Sequence, residues 1–270
     1  MSTRVFFFIF LLLFADETLG ASETEVFPYR LNLAADAALL SVGCASVGLS
    51  IFLYGIQPVP GWRETVTLNK KDLNPLDRQA VGRHLKGART GSDVLAISAS
   101  ASPLFLTIPY LLNKENMNAL TITVMYAEVA VLVAGINGVC KSLVHRKRPY
   151  LYVNNLFERS PRNKSSASSF YSLHSTFAFG SMVFLSTVIG DLYDSCLKYA
   201  ILAGSLSVAG LTGYFRFAAG LHFPTDIIVG GAIGSVIGYL VPAIHKIRSD
   251  NFTMSVVVGR GYGLQFGIRF

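Results

Sequence analysis

The chain has 270 residues, of which 51% are hydrophobic and only 14% are charged. Its mean hydropathy of +0.47 is too high for an ordinary soluble domain, so the composition favours a membrane protein. The formal net charge of +7 comes from cations between apolar segments, without the aromatic-interleaved basic stripe that binds nucleic acid. We therefore expect a membrane protein whose partner is an anionic lipid or phosphate, and no nucleic acid.

The N-terminal sequence "MSTRVFFFIFLLLFADETLGAS" has one cation, an apolar core over residues 5–15 and small residues near its end. This core is too short to cross roughly 30 Å of hydrocarbon, because a helix rises only about 1.5 Å per residue. Residues 1–20 are therefore predicted to be a cleaved secretory signal peptide, with an uncleaved anchor as the alternative.

The apolar segments that follow predict an all-α, six-helix transmembrane bundle that forms one domain over residues 21–250. The predicted spans are 33–55, 94–113, 117–143, 174–193, 197–215 and 225–245. In the last span, Gly230, Gly234 and Gly238 recur every four residues, a spacing that lets helices approach closely in lipid. We expect these glycines to serve packing rather than catalysis.

Two long loops separate the spans, and a tail follows them. In the basic loop 56–92, the sequence "NPLDR" at 74–78 predicts a turn into a short interfacial amphipathic helix. The loop 145–173 contains "SPRNKSSASS", which is typical of a flexible linker. The tail 251–270 alternates apolar and polar residues around Gly259 and Gly261, which predicts a β-hairpin. A barrel strand is disfavoured, because one hairpin cannot close a barrel.

Some polar residues and cysteines lie within the apolar segments. Cys44, Cys140 and Cys196 show no metal-ligand spacing and are interpreted as small hydrophobic residues, with a free thiol as the alternative. Glu128 and Asn137 lie inside the third span, where polar side chains are costly and often functional. We expect both to form interhelical hydrogen bonds.

Polar residues suited to catalysis concentrate in three short sequences: "KSLVHRKRP" at 141–149, "YSLH" at 171–174 and "RFAAGLHFPTD" at 216–226. Taken alone, the first resembles a topology signal, because Lys and Arg collect at the cytoplasmic ends of membrane helices. The predicted spans, however, bring all three sequences to helix ends on the same membrane face. This convergence predicts a single site at that interface.

The cations of these sequences suit phosphoryl transfer, in which negative charge spreads over the phosphate oxygens. Arg148 and Arg216 can each offer two N–H groups to a phosphate, and Lys141 adds a point charge. Ser172 and the backbone N–H of Leu173, at the start of a helix, add further donors. The sequence predicts a phosphate site that needs no metal and no cofactor.

Two histidines suit the chemical steps. His222 and Asp226 are four residues apart near a helix start, where Pro224 is tolerated, so their side chains can share one face. A carboxylate bonded to one ring nitrogen fixes the tautomer and leaves the other nitrogen as a nucleophile. His174, on a different helix, is then free to protonate the leaving oxygen.

The spacing of these residues is highly specific. The pattern is Lys141-x6-Arg148-Pro149, Ser172-x-His174 and Arg216-x5-His222-x3-Asp226. It resembles the type 2 phosphatidic acid phosphatase (PAP2) superfamily, which includes bacterial acid phosphatases and vanadium haloperoxidases. The resemblance implies a membrane lipid phosphatase in which His222 carries a phosphohistidine, Asp226 orients it and His174 is the acid. The implied phosphate-binding residues are Lys141, Arg148, Ser172 and Arg216.

The chain departs from the family pattern at three positions. The second motif usually reads Pro-Ser-Gly-His, but Tyr171 and Leu173 stand at its Pro and Gly positions, and Phe215 replaces the usual Ser before Arg216. Leu173 keeps its N–H but cannot reach the backbone conformations that are open to Gly. We expect these departures to affect rate and substrate range more than activity itself.

Other functions and orientations remain open from the sequence. A transport or non-catalytic phospholipid-binding protein derived from this fold would explain the spans but not the paired histidines. A haloperoxidase would hold vanadate with the same residues, but it is usually a soluble fold. The predicted signal and six spans place the site in the cytoplasm, at a bacterial inner membrane, and it faces outward if 33–55 does not cross. Neither the lipid nor the oligomeric state is indicated.

Overall fold

The computed structural model describes residues 27–153, 163–193, 197–247, 252–255 and 265–268. The predicted signal peptide and Cys196 lie outside the described residues. The helices are α1 (Leu33–Ile56), α2 (Trp62–Val66), α3 (Ala88–Ala101), α4 (Ile108–Leu112), α5 (Asn116–Val144), α6 (Leu173–Leu192), α7 (Leu197–Ala218) and α8 (Pro224–His245). Short 3-10 turns lie at Lys70–Asp72, Asp77–Ala80, Ser102–Thr107, Pro149–Tyr152 and Lys164–Ala167.

Six segments of the described chain are long and apolar enough to cross a membrane. They are α1, the α3–α4 pair with the 3-10 turn between its helices, α5, α6, α7 and α8. The predicted six-helix membrane bundle is therefore confirmed, and the protein is a multi-pass membrane protein.

The second span differs most from its predicted bounds. It was expected at 94–113, but α3 already begins at Ala88, because the polar start "ARTGSD" is helical despite its low hydropathy. The helix gives way to a 3-10 turn at Ser102, next to Pro103, whose ring nitrogen cannot donate to the helix. The earlier start places Asp93 inside a helix.

Small residues bring the last span close to α6. A Cβ atom added to Gly230 would lie 2.8 Å from the carbonyl oxygen of Ser172, and Gly234 and Gly238 face the α6 backbone further along. Such close contact of two backbones is typical of helix packing in lipid, and the packing role predicted for these glycines is confirmed.

The apolar core lies between α5, α6 and α8. Its fully buried side chains include Ile122, Met125, Val129 and Val133 on α5, Phe184 and Val188 on α6, and Val241 on α8. By contrast, α1 packs against α5 and turns large apolar side chains such as Ile51 and Phe52 outward, as expected for a helix that faces lipid.

The first loop does not form the predicted amphipathic helix. After 74–78 the chain makes one 3-10 turn at Asp77–Ala80, and Gly82 then takes a left-handed φ of 82° that a helix cannot continue. The side chain of Asp77 is fully buried, so this turn is anchored to the bundle.

The prediction of a flexible linker is wrong for residues 163–169. Asn163 caps a 3-10 turn by accepting from the backbone N–H of Ser166. At the end of α1, the buried Gln57 amide donates to the Lys164 carbonyl and to the Ser168 hydroxyl, each at 3.3 Å. The sequence suggested that these hydroxyl groups face solvent, but in the structure they form hydrogen bonds that fix residues 163–169 in place. Residues 154–162 lie outside the described residues.

Two short strands occur in the tail. Strand β1 (Phe252–Ser255) pairs antiparallel with β2 (Gln265–Ile268). The connecting residues 256–264, with the two turn glycines, lie outside the described residues, so the hairpin itself stays a prediction.

Candidate functional site

The predicted site residues lie at one end of the bundle, where α1, α5 and α7 end and α3, α6 and α8 begin. We call this the site end. Lys141 lies in the last turn of α5, and Arg148 follows the end of that helix. Ser172 is the N-cap of α6, and Leu173 and His174 lie in the first turn of α6. Arg216 lies in the last turn of α7, His222 precedes α8, and Asp226 lies in the first turn of α8. The structure brings all eight together.

Three cations face one another in the site. Lys141 lies within electrostatic range of both Arg148 and Arg216. The Arg148 guanidinium donates to the carbonyls of Ser165 (2.9 Å) and Leu221 (3.3 Å). Among the described residues, Lys141 has neither a hydrogen bond nor an ion pair. Like charges held this close create a field that favours an anion between them.

The start of α6 adds donors. The Ser172 hydroxyl oxygen accepts from the backbone N–H of Ser175 (3.3 Å) and from the Ser175 hydroxyl (2.9 Å). The hydroxyl proton of Ser172 is therefore available to donate to a bound anion. The backbone N–H groups of Leu173 and His174 have no acceptor within the described part of the chain. The first turn of this helix therefore offers donors suited to an anion.

Two contacts fix this helix start. The backbone N–H of Ser172 donates to the Asp226 carbonyl at 3.0 Å, which joins α6 to α8. Asn137 on α5 donates from its amide to the carbonyl of Tyr171 at 2.9 Å, so its hydrogen bond goes to the residue before the cap of α6 and not, as expected, to another helix. Tyr171, at the position where the family has Pro, is fully buried and lies directly before the helix cap.

His222 is buried, with 2% of its surface exposed. Burial is the main cause that lowers the pKa of its imidazole to about 3; the charges of Arg148 and Lys141 act in the same direction, and Asp226 acts against them. The ring is therefore neutral at physiological pH, as a nucleophile requires. Its Nδ1 lies 3.5 Å from Asp226 Oδ2, which is beyond hydrogen-bond distance, and has no hydrogen-bond partner among the described residues.

The Asp226 carboxylate has other partners. Its Oδ2 accepts from the Ser169 hydroxyl at 2.5 Å and from the backbone N–H of Phe223 at 3.0 Å, while its Oδ1 accepts from Arg146. These donors fix the orientation of the carboxylate that faces His222. Sequence reasoning assigned no role to Ser169 or Arg146, since nothing in the spacing distinguishes Arg146 from an anchoring cation.

Arg146 also ties the first loop to the site. Its second terminal nitrogen donates to the buried Asp77 at 2.6 Å, and Asp77 accepts from the backbone N–H of Thr225 at 3.1 Å. A charged network therefore joins the loop, the end of α5 and the start of α8. The only feature of the sequence that could have pointed to this network is the aspartate, Asp77, within the turn "NPLDR".

Asp93 on α3 is a further residue that sequence reasoning missed. One of its carboxylate oxygens accepts from Arg216 and lies 2.9 Å from His174 Nε2. Its side chain keeps 43% of its surface exposed, so it lies at the mouth of the site. The Asp93 oxygen therefore contacts Arg216 and His174, two groups that a bound phosphate oxygen would also contact.

Phe215 explains how Asp93 reaches this position. The Phe215 ring packs against α3 where Gly91 has no side chain, and a Cβ atom there would lie 3.1 Å from the ring. The close contact brings the start of α3 beside the end of α7. At the position where the family has Ser, the chain therefore carries a packing residue directed at α3.

The fold defines a polytopic membrane protein in which three cations, two histidines and a helix start lie together at one end of the bundle. The family model of the PAP2 superfamily matches residues 96–250, more than half of the chain. The chain belongs to this superfamily, which confirms the resemblance drawn from the motifs.

The crystal structure of a transmembrane PAP2 type phosphatidylglycerolphosphate phosphatase from Bacillus subtilis is similar to this chain, with 19% identity and a TM-score of 0.39. The alignment covers 90% of this chain and 96% of that chain. No curated protein matches.

Proposed function

We propose that the protein is a metal-independent phosphatase that hydrolyses a lipid phosphate monoester or pyrophosphate through a phosphohistidine intermediate. Membership of the PAP2 superfamily supports a phosphatase. The observation that carries the finer proposal is the buried, neutral imidazole of His222 within electrostatic range of Lys141 and Arg148. A neutral nucleophile next to an anion site is the arrangement that phosphoryl transfer to histidine requires.

Substrate binding comes first. The phosphate oxygens accept from Arg148 and Arg216, from the Ser172 hydroxyl and from the N–H of Leu173, while Lys141 contributes its charge. To enter, the phosphate displaces the Asp93 carboxylate from Arg216. These donors are already held by the surrounding helices, so little reorganisation is needed as charge develops on the oxygens.

The chemical step then uses both histidines. Nε2 of His222 attacks phosphorus, because Nδ1 faces Asp226, and a P–N bond forms while the P–O bond to the lipid breaks. His174 donates its proton to the leaving lipid oxygen. The Asp226 carboxylate stabilises the positive charge that develops on the His222 ring.

A water molecule completes the cycle. His174, now neutral, accepts a proton from the water as its oxygen attacks phosphorus and the P–N bond breaks. Inorganic phosphate leaves, and His174 has regained its proton. Each turnover therefore consumes one water and releases one phosphate and one lipid alcohol, or a lipid monophosphate from a pyrophosphate.

The position of the site supports a lipid substrate. Its residues lie at the ends of membrane-crossing helices, at the depth where a lipid headgroup meets water. We infer a protein of a bacterial inner membrane that enters by the predicted signal peptide 1–20, followed by the phosphatase domain 21–250 and the tail 251–270. The three cations support a phosphate as the group that is bound, and the panel of lipids below identifies the rest of the substrate.

The test is phosphate release by detergent-purified protein in EDTA from a panel of lipid phosphates. The panel contains phosphatidate, phosphatidylglycerol phosphate, a polyprenyl pyrophosphate and a lipid A phosphate. We expect turnover of at least one lipid, its loss in a folded His222→Ala variant and its retention in His84→Ala, which removes an exposed histidine outside the site. Inert wild-type protein that still binds these lipids would instead support a non-catalytic phospholipid-binding protein.

A further inference from the structure

A second polar cluster lies away from the site end, where α1 begins and α8 ends. It consists of Asp36 in the first turn of α1, Glu128 within α5 and His245 at the last position of α8. His245 Nε2 lies 2.7 Å from Asp36 Oδ1 and 3.5 Å from Glu128 Oε2, and one ligand atom from each residue falls within 4.8 Å of the others. We call these three residues the triad cluster.

The tautomer of His245 follows from its second contact. Nδ1 lies 2.9 Å from the backbone carbonyl of Val241, and because a carbonyl only accepts, Nδ1 must carry a hydrogen. Nε2 is therefore directed at the two carboxylates. Histidines that bind metals characteristically donate their other ring N–H to a backbone carbonyl or carboxylate, which fixes the ring for coordination.

The contacts of Glu128 give the strongest indication that the triad cluster binds a ligand. Its side chain is completely buried within a membrane-spanning helix, and neither carboxylate oxygen has a hydrogen-bond donor among the described residues. The interhelical hydrogen bond expected of Glu128 is therefore absent. A proton on Nε2 of His245 could serve one oxygen only, and Asp36 is the nearer acceptor. An uncompensated buried carboxylate is costly.

We propose that the triad cluster binds one divalent transition-metal ion, Zn²⁺ being the ion that fits it best. Two carboxylates balance the double positive charge, so the loaded site is neutral inside the membrane. Imidazole ligation favours zinc over magnesium or calcium. Ligand atoms about 2.0–2.2 Å from a tetrahedral zinc lie about 3.3 Å from one another. This separation falls between the distances from His245 Nε2 to Asp36 Oδ1 (2.7 Å) and to Glu128 Oε2 (3.5 Å). Asp36, with 13% of its side chain exposed, opens the site to solvent or lipid headgroups.

This metal is structural and separate from the phosphatase site. It links α1, α5 and α8, the first, third and last spans of the bundle. It explains why a buried carboxylate within a span has no hydrogen-bond donor among the described residues. Chelation is therefore expected to change the stability of the protein and to leave turnover at the site end unchanged while the protein stays folded.

The test uses the full-length protein in detergent, stripped with EDTA and dialysed. Bound metal is counted by mass spectrometry after addition of ZnCl₂, and the melting temperature is recorded with ZnCl₂, with MgCl₂ and with neither. We expect about one zinc per chain and a higher melting temperature with ZnCl₂ than with MgCl₂. Glu128→Gln should lose both the zinc and the shift, even if its metal-free melting temperature equals or exceeds that of the wild type.

Asp191→Asn is the matched control. Asp191 is a carboxylate near the same end of the bundle, bonded to Lys246 and Tyr29 rather than to the triad cluster. This variant should keep the zinc shift whatever its own stability. The proposal is overturned if the wild type takes up no zinc and its melting temperature does not respond, or if Glu128→Gln binds zinc as the wild type does.

Discussion

Single residues decide the charge balance of the proposed phosphate site, and Asp93 is the residue that we expect to oppose substrate binding. Its carboxylate takes the same donors, on Arg216 and His174, that a phosphate oxygen needs. A negative charge at this position also repels an incoming phosphate. Because the side chain is partly exposed, solvent screens this repulsion, and its effect should be modest.

Asp93→Asn should therefore bind inorganic phosphate more tightly. Removing an ion pair of this exposure changes binding by up to about 1 kcal/mol, so the inhibition constant for phosphate should fall by about threefold to fivefold. The measurement is competitive inhibition of lipid phosphate turnover. Asp72→Asn, which removes an exposed carboxylate from the loop on the same membrane face, should leave the constant unchanged. An unchanged or raised constant in Asp93→Asn would argue against competition.

The sequence was sufficient to predict that residues such as His222 and Arg216 lie together at the site end. It was not sufficient for their partners. Arg146 and Asp93 are ordinary charges in the sequence, and they become part of the site only because helices distant in the chain meet there. Glu128 shows the reverse, since its burial was foreseen but its lack of a hydrogen bond was not.

Elements were predicted best where hydropathy alone defines them. The first, third, fourth and sixth spans agree with helices α1, α5, α6 and α8 to within about one residue at each end, because long apolar helices have clear boundaries. The start of α3 and the fixed segment 163–169 were missed, since their order comes from polar contacts with other elements. Local sequence cannot report such contacts.

The contact between α6 and α8 holds Ser172 against Asp226, which faces the proposed nucleophile His222, and Gly230 is the glycine of this contact that lies against Ser172. Gly230→Ala would place a methyl group against the Ser172 carbonyl, so the helices must separate. Overpacking of this kind costs about 1–3 kcal/mol. We expect a lower melting temperature and reduced kcat, because Ser172 moves relative to His222.

Gly210→Ala provides the control for this prediction. Gly210 lies on α7, and an added Cβ atom meets nothing within 4 Å. Its melting temperature and kcat should match those of the wild type. Equal behaviour of the two variants would show that the close contact at Gly230 is not needed to align the site.

At the scale of the whole molecule, the six helices separate two ends of opposite character. The site end carries the basic loop 57–87, with six Lys or Arg residues, whereas the short connection 113–115 at the other end has one. Cations favour the cytoplasmic side, so we expect the site end to face the cytoplasm. A reporter fused at residue 160 should be cytoplasmic and one fused after residue 270 should be external. The reverse result would place the site on the outer face.

The covalent step at His222 is the central step of the proposed mechanism. The direct measurement is to mix the purified protein with the radiolabelled lipid phosphate that is turned over fastest, quench within one turnover in base and map the label by mass spectrometry. Phosphohistidine survives base and is lost in acid. We predict a base-stable, acid-labile phosphate on His222, and none in His222→Ala. Turnover without a labelled enzyme, or a label on any other residue, would contradict the mechanism.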